Sequence, residues 1–326
     1  MKILITGATG QAGKFLTAKL SAAGHDVYGL VRRAAGRSTE DTSGNAAQLP
    51  YKPIYGDIQD AMKIFSVISR GQFGVIFSYA AQSHVGYSFE NPQLTMGVNV
   101  GGHHNILEAV RQFSPQSVVL HASSSEMMGK VIEIPQDENT PFYPRSPYGV
   151  SKTSAHFLGV NYRESYGINL SNIIHFNYES EHRPPEFVSR KITRGVARIY
   201  LGLEDTLALG NLDAKRDWMY AGDAMDGAIA AMDRAVSRRE GDDFVIGTGE
   251  TRSVRDFCEA AFACVGLDYR DFVTVDKRFY RPTEVDLLLA DPTKAASLLS
   301  WAPKVSFPAM VVLMVDNDLK TERFAK

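Results

Sequence analysis

Hydrophobic positions in this chain fall into short unbroken runs that alternate with stretches of helical period. KILIT, residues 2–6, reads as a buried strand. After TGATGQAG, the residues Leu16, Leu20 and Ala23 share one helical face, and Gly24 closes that helix. DVYGLV is the next strand, PIYGD ends a third with Asp57 at its tip, a helix is expected around residues 61–69, and GVIFSYAA is a fourth strand. QSHVGYSFENP, residues 82–92, is too polar for core and is expected as a loop at a strand's carboxyl end. A helix from about residue 92 to 113 carries Leu94, Val98, Ile106, Leu107 and Val110. His103 and His104 stand side by side in it and are expected on its surface. SVVLHA is a fifth strand, and a further helix starts at Pro147 with Ser146 as its N-cap. This repetition predicts an α/β protein, a Rossmann-type doubly wound parallel sheet covered on both faces.

The texture changes after the strand INLSNIIHF. NYESEHRPPEF is a polar, proline-rich loop, RKITRGVARIY is a basic helix, and NLDAKRDWMYAGD precedes another helix. DDFVIG is strand-like, and RFYRPTEVDLLLADPTKAASLLSW mixes charged loop with short helix. The expected organisation is a dinucleotide-binding domain over residues 1–176 and a smaller C-terminal α/β substrate-binding domain over 177–326. Residues of about 212–248 are expected to pack back onto the first domain.

A chain of 326 residues has ample length for a sizeable core, and its formal net charge is −2 with both signs interspersed. That argues against nucleic-acid and membrane-surface roles. Met1 runs straight into a strand, so no signal peptide is expected, and no apolar run approaches the roughly 20 residues of a membrane span. A cytoplasmic location follows as the expectation. Cys258 and Cys264 lie in an apolar helical pattern and are expected as buried, reduced thiols. No metal site is expected.

Candidate chemistry begins at Gly7, Gly10 and Gly13, which recur every third residue between a strand and a helix. Such a turn lets backbone N–H groups approach a pyrophosphate at the positive end of the helix. An acidic residue at the end of the second strand would bind the ribose 2′-hydroxyl of NAD. Arg32 and Arg33 stand there instead, and a guanidinium suits the 2′-phosphate of NADP. Tyr148 and Lys152 are four apart, hence on one helical face, where an ammonium beside a phenol would lower the phenol's pKa. Ser124 and Glu126 emerge at the end of an apolar strand, where sheet-borne active-site residues usually lie.

Taken together these motifs resemble the extended short-chain dehydrogenase/reductases, nucleotide-sugar branch. TGATGQAG is similar to their Gly-x-x-Gly-x-x-Gly turn, and Ser124, Tyr148 and Lys152 match their Ser/Thr–Tyr–Lys set. Within the branch, AAQSHV, the SSE turn, GKVIEIPQDENTPFYPRSPYGVSK, VNYRESYG, RKITRGVARI, LGNLDAKRDW and RPTEVD are similar to phrases of the GDP-mannose dehydratases over nearly the whole chain. The resemblance implies NADP contacts from Gly7, Thr9, Gly10, Gln11 and Gly13, from Arg32 and Arg33, from Asp57 and Ile58, and from Ala80, Ala81 and Gln82, besides Tyr148 and Lys152. It implies a GDP-sugar substrate held by Ser83, Ser124, Ser125, Glu126, Asn177, Lys191, Arg216, Arg281 and Glu284. It also implies a homodimer or homotetramer.

The implied reaction is redox-neutral loss of water from GDP-mannose. Tyr148 would take the proton of the sugar 4-hydroxyl, Ser124 would bond the 4-oxygen, Lys152 would hold the nicotinamide ribose, and Glu126 would remove the proton on carbon 5 and help expel the 6-hydroxyl. A simple epimerase or reductase has no use for that carboxylate. The chain departs from the family where Tyr178 to Glu186 replace His-Glu-Ser-Pro-Arg-Arg-Gly-Glu-Thr, where Met128 replaces a common tyrosine, and where Ser78-Tyr79 replaces Asn-Leu. Competing readings are another nucleotide-sugar dehydratase or decarboxylase, a reductase-epimerase, and an NADP-sensing regulator without catalysis. The regulator would be free to lose Tyr148 or Lys152, and both are present.

Overall fold

The computed structural model describes residues 1–32, 49–280 and 283–324. In chain order the elements are β1 (Lys2–Thr6), α1 (Gln11–Ala22), β2 (Asp26–Val31), β3 (Lys52–Tyr55), α2 (Ala61–Gly71), β4 (Val75–Ser78), α3 (Val85–Glu90), α4 (Pro92–Met96), α5 (Gly102–Phe113), β5 (Val118–Ser124), α6 (Pro147–Tyr166) and β6 (Leu170–His175). There follow β7 (Asn177–Glu179), α7 (Val188–Tyr200), β8 (Leu207–Leu209), β9 (Lys215–Arg216), β10 (Trp218–Tyr220), α8 (Ala221–Arg238), β11 (Phe244–Ile246), β12 (Arg252–Ser253), α9 (Val254–Ala263), β13 (Val273–Val275), α10 (Thr293–Leu299) and α11 (Phe307–Phe324). Among the described residues seven strands make one parallel sheet in the order β3-β2-β1-β4-β5-β6-β11. The strand order reverses between β1 and β4, the position at which sheets of this kind bind ligands beyond their carboxyl ends.

The chain divides into two compact units. The first comprises residues 1–123, 150–173 and 228–244; the second comprises 124–149, 174–227 and 245 onward. In the first unit Leu4, Ile76 and Val119 of the sheet pack with Ile64 and Ile68 of α2, Ile106, Leu107 and Val110 of α5, and Tyr162 of α6. Full burial of each such aliphatic side chain is worth about 1.5–3 kcal/mol. In the second unit α7, α9 and α11 close around Trp218, whose ring meets Phe257 edge-on at 5.1 Å and Phe307 at 6.1 Å.

The basic helix α7 owes its charge to this packing. Arg190 binds Asp318 of α11 through two hydrogen bonds of 2.7 and 2.8 Å, and Arg194 and Arg198 share Glu322. Asp217, fully buried, receives the backbone N–H groups of Thr248, Gly249 and Ala290, so this part of the RDW phrase is a loop anchor. Among the described residues no helix is long and apolar enough to cross a membrane.

Three sequence expectations are corrected. The 82–92 stretch is not all loop: α3 forms within it because the His84 side chain accepts the Tyr87 N–H at its start and Val85 and Ser88 turn inward. His103 is buried rather than on the surface, since its position on α5 is on the side of Ile106, Leu107 and Val110, and only His104 is exposed. Cys258 is buried as expected, but Cys264 follows the last residue of α9 and is exposed.

Candidate active site

The glycine turn of the first unit is built for close approach. Gly7 has φ +74°, and Gly10 N–H returns to Gly7 O at 2.9 Å. A Cβ on Gly13 would lie 2.2 Å from Gly7 O, so no other residue fits there. The Thr6 hydroxyl accepts from the N–H groups of Tyr79 and Ala80, which ties the end of β4 to the end of β1. Thr9 and Gly10 are exposed, and Gln11 opens α1, whose positive end faces the turn. Arg32 is exposed at the end of β2, while Arg33 lies outside the described residues. Asp57 accepts the Gln59 N–H just past β3, and Ile58 is buried beside it.

One residue that the sequence reading missed organises the far side of this rim. Between α4 and α5 the helix widens into a π-turn over Gly97–Gly101, and there Asn99 turns inward, 3% exposed. Its amide accepts from Gln82 N at 2.8 Å, donates to Gln82 O at 3.0 Å, and donates to the Ser151 hydroxyl at 2.9 Å. It thereby braces the Ala80–Gln82 segment against α6 beside Lys152. Ser83, next along, is exposed. A π-bulge often marks a functional position, but nothing in the local sequence pattern betrays one.

Lys152 is buried and donates to the carbonyl of Ala122 at 2.7 Å. Burial brings its ammonium down from the ordinary 10.5 to about 8. Next to it the first unit holds a buried imidazole pair, His103 and His121, which stack at 3.8 Å. Burial first, then the charge of Lys152, holds His103 at about 3 against an ordinary 6.5. A folded-state value below the unfolded one means that the unfolded chain takes up more protons between pH 6.5 and 3. Stability contributed by neutral His103 is therefore complete above pH 6.5 and is lost as the pH falls through that window. At pH 5 the expected loss from this residue is about 2 kcal/mol relative to pH 7. Denaturant titrations of the wild type and His103→Phe should show it: the variant loses less stability on acidification, and equal losses would disprove the assignment.

In the second unit Ser124, Glu126 and Tyr148 lie together, all less than a tenth exposed. The Ser124 hydroxyl accepts the Glu126 N–H at 3.3 Å and also bonds the Tyr148 phenol. Ser146 caps α6 as expected, its hydroxyl accepting the Gly149 N–H at 3.0 Å, and so fixes where Tyr148 leaves the helix start. The expected lowering of the Tyr148 pKa is corrected. Burial pushes the phenol well above its ordinary value, Tyr178 and Glu126 push it further, and Ser124 and Arg183 pull back. Low dielectric around an ionising phenol outweighs the polar contacts the protein itself offers.

Tyr178, in β7, is a second phenol, partly buried, with His175 edge-on at 5.1 Å. Arg183 pairs with buried Glu179 at 3.2 Å and lies 3.6 Å from the centre of the Phe187 ring. Of the expected substrate residues, Ser125 is buried beside Glu126, and Asn177 at the start of β7 has a buried Oδ1 with no partner among the described residues. Lys191 in α7 sits over the Phe279 ring at 3.5 Å; Arg216 is buried in β9, its guanidinium donating to Lys215 O; Glu284 is partly buried. Arg281 lies outside the described residues. Thr283 next to it bonds the carbonyl of Arg145, which ties this segment to the approach of α6.

A glycine turn at the switch point of a parallel sheet, with Ser-x-Glu and Tyr-x-x-x-Lys after β5, defines a short-chain dehydrogenase/reductase of the nucleotide-sugar branch. The profile of the family described as GDP-mannose 4,6 dehydratase matches residues 4–314. The chain is 42% identical to GDP-mannose 4,6 dehydratase 1 of Arabidopsis thaliana, over 99% of this chain and 91% of that one. It is 41% identical to the GDP-mannose 4,6 dehydratase of Homo sapiens, over 98% and 92%. With the Vibrio cholerae enzyme of that name the identity is 39%, over 98% and 94%. Among solved structures it is similar to the UDP-glucose 4-epimerase of Thermus thermophilus in complex with NAD, at TM-score 0.80 and 27% identity, covering 98% of this chain and 99% of that one. The chain belongs to the GDP-mannose 4,6-dehydratase family.

Proposed function

We propose that this protein converts GDP-D-mannose to GDP-4-keto-6-deoxy-D-mannose and water, with NADP as resident cofactor. The observation that carries the reading is Glu126: a buried carboxylate two residues from Ser124, acting on Tyr148, in a chain about 40% identical to dehydratases throughout. The Gly7 turn, which a Cβ on Gly13 would block, fits a pyrophosphate, and Arg32 suits a 2′-phosphate. NADP bound there would supply a reversible hydride acceptor, so that oxidation at carbon 4 and reduction at carbon 6 would leave it with no net change.

The chain's own residues do the proton work. Tyr148 takes the proton of the 4-hydroxyl and Ser124 bonds the 4-oxygen as it becomes a carbonyl. The ketone acidifies the hydrogen on carbon 5. Glu126 takes that proton and passes it to the departing 6-hydroxyl, which leaves as water. The proton stored on Tyr148 then returns to carbon 5, and the balance closes. Lys152, one turn along α6, is the residue whose ammonium would favour the phenolate that takes this proton. Asn177, Lys191, Arg216, Arg281 and Glu284 hold the GDP moiety, Arg216 and Arg281 being suited to the diphosphate. We assign the cofactor to the 1–176 domain, the sugar nucleotide to 177–326, a homodimer or homotetramer as the assembly, and the cytoplasm as the location.

The test is to incubate the protein with GDP-mannose, UDP-sugars and dTDP-sugars in turn, with catalytic NADP, and follow products by NMR. GDP-mannose should give the 4-keto-6-deoxy sugar, carrying solvent deuterium at carbon 5 in deuterated water. Stoichiometric NADPH consumption would replace this reading with a reductase; inactivity on GDP-mannose would show that the altered 178–186 loop has moved the substrate. For the cofactor, Arg32→Ala should weaken NADP binding about tenfold and leave NAD unchanged. Equal NADP affinity in wild type and variant would remove Arg32 from the site.

A further inference from the structure

Behind Lys152 lies a polar interior that the proton steps above leave unused. His103 of α5 and His121 of β5 are each 2% exposed, and Ser78 Oγ meets His103 Nδ1 at 2.9 Å. The other three ring nitrogens of the stacked pair, His103 Nε2 and both of His121, have no hydrogen-bond partner among the described residues. A neutral imidazole carries one donor and one acceptor, so His121 buries one of each unanswered. Buried polar atoms are nearly always satisfied, by protein or by ordered water.

Lys152 adjoins this pair. Its ammonium bonds the carbonyl of Ala122, the residue after His121, and its charge acts on both imidazoles. Ser123 shares a strand face with His121 and meets His156 Nδ1 at 3.0 Å, one helical turn past Lys152. The groups acting on the stack are thus His104 from α5 and Lys152 and His156 from α6. Beyond His156 stands Asp243, 3.5 Å from His156 Nε2 and already held by Arg163 at 2.7 Å.

We propose that the His103–His121 stack is the floor of an internal water site that solvates the buried Lys152 ammonium, so that the two histidines are positioning residues that keep Lys152 charged. A ring nitrogen lone pair holds one hydrogen of the water, and the water oxygen then faces the ammonium as acceptor. Only a neutral stack can do this. Burial and Lys152 hold His103 at about 3 and His121 well below its ordinary value, so both are uncharged near neutrality. The inference rests on the proposed role of Lys152 only for its effect on turnover, because the charge of Lys152 is measured without substrate or cofactor.

Protein carrying lysine labelled with ¹³C at Cε is titrated by NMR, with the Lys152 signal assigned from Lys152→Arg. His121→Phe and His103→Phe change no charge near neutrality, so movement of the Lys152 midpoint reports lost solvation. His121→Phe should lower that midpoint by about one pH unit, since a hydrogen bond to the charged form favours it. His121→Gln, which keeps a donor and an acceptor, should hold it near the wild-type value. A midpoint unmoved in both phenylalanine variants overturns the proposal. Should those variants fail to fold, a high-resolution crystal structure of the wild type decides: ordered water joining His121 to Lys152 Nζ supports the site, and a dry stack overturns it.

Discussion

Tyr148→Phe is expected to abolish turnover of GDP-mannose while leaving NADP affinity nearly unchanged. The phenylalanine ring fills the same buried space, 8% exposed in the wild type, and retains its packing at the start of α6. What disappears is the hydroxyl that bonds Ser124 and would receive the sugar proton. A positioned acid–base group contributes between about 10²- and 10⁴-fold, so kcat should fall by at least that lower figure. A loss of less than about tenfold would mean that another base acts. Tyr178, a partly buried phenol close enough to act on Tyr148, would then be the first group to remove.

Glu126→Gln should separate the two halves of the reaction. Glutamine preserves the volume of a side chain that is 7% exposed, and the Glu126 N–H can still reach the Ser124 hydroxyl. An amide cannot take the proton from carbon 5, so elimination should stop after oxidation at carbon 4. With protein and cofactor at concentrations comparable to substrate, NMR should find a 4-keto sugar that keeps its 6-hydroxyl. Carbon 5 should acquire no solvent deuterium, and the 4-keto-6-deoxy product should fall by at least about 10²-fold. Deuterium appearing at carbon 5 at the wild-type rate would assign that proton to a different group. Both tests depend on wild-type activity toward GDP-mannose, so they follow the substrate survey.

Much of the candidate site was legible because it is local. Strand and helix periods, the glycine turn and the Ser146–Pro147 helix start are set within a few residues of one another, and the structure realises each. Other features depend on partners distant in sequence. His103 and His104 look alike along the chain, and packing against β4 and β5 decides that one is interior. The sequence shows α7 only as a basic helix, and Asp318 and Glu322 of α11 pair with its Arg190, Arg194 and Arg198. Asn99 matters only because the π-turn aims it at Gln82 and Ser151, and a widened helical turn leaves no mark on the hydrophobic period.

By itself, then, the sequence determined the α/β class and the strand–glycine-turn–helix start, and it singled out Ser124, Glu126, Tyr148 and Lys152 as candidates, since periodicity and short motifs act over one or two turns of chain. Only the tertiary structure decided the electrostatics of those groups. Four-residue spacing implied a phenol made acidic by a lysine, whereas burial drives Tyr148 upward and brings Lys152 to about 8. Desolvation is a property of everything packed around a group, and that is assembled from residues tens to hundreds of positions away.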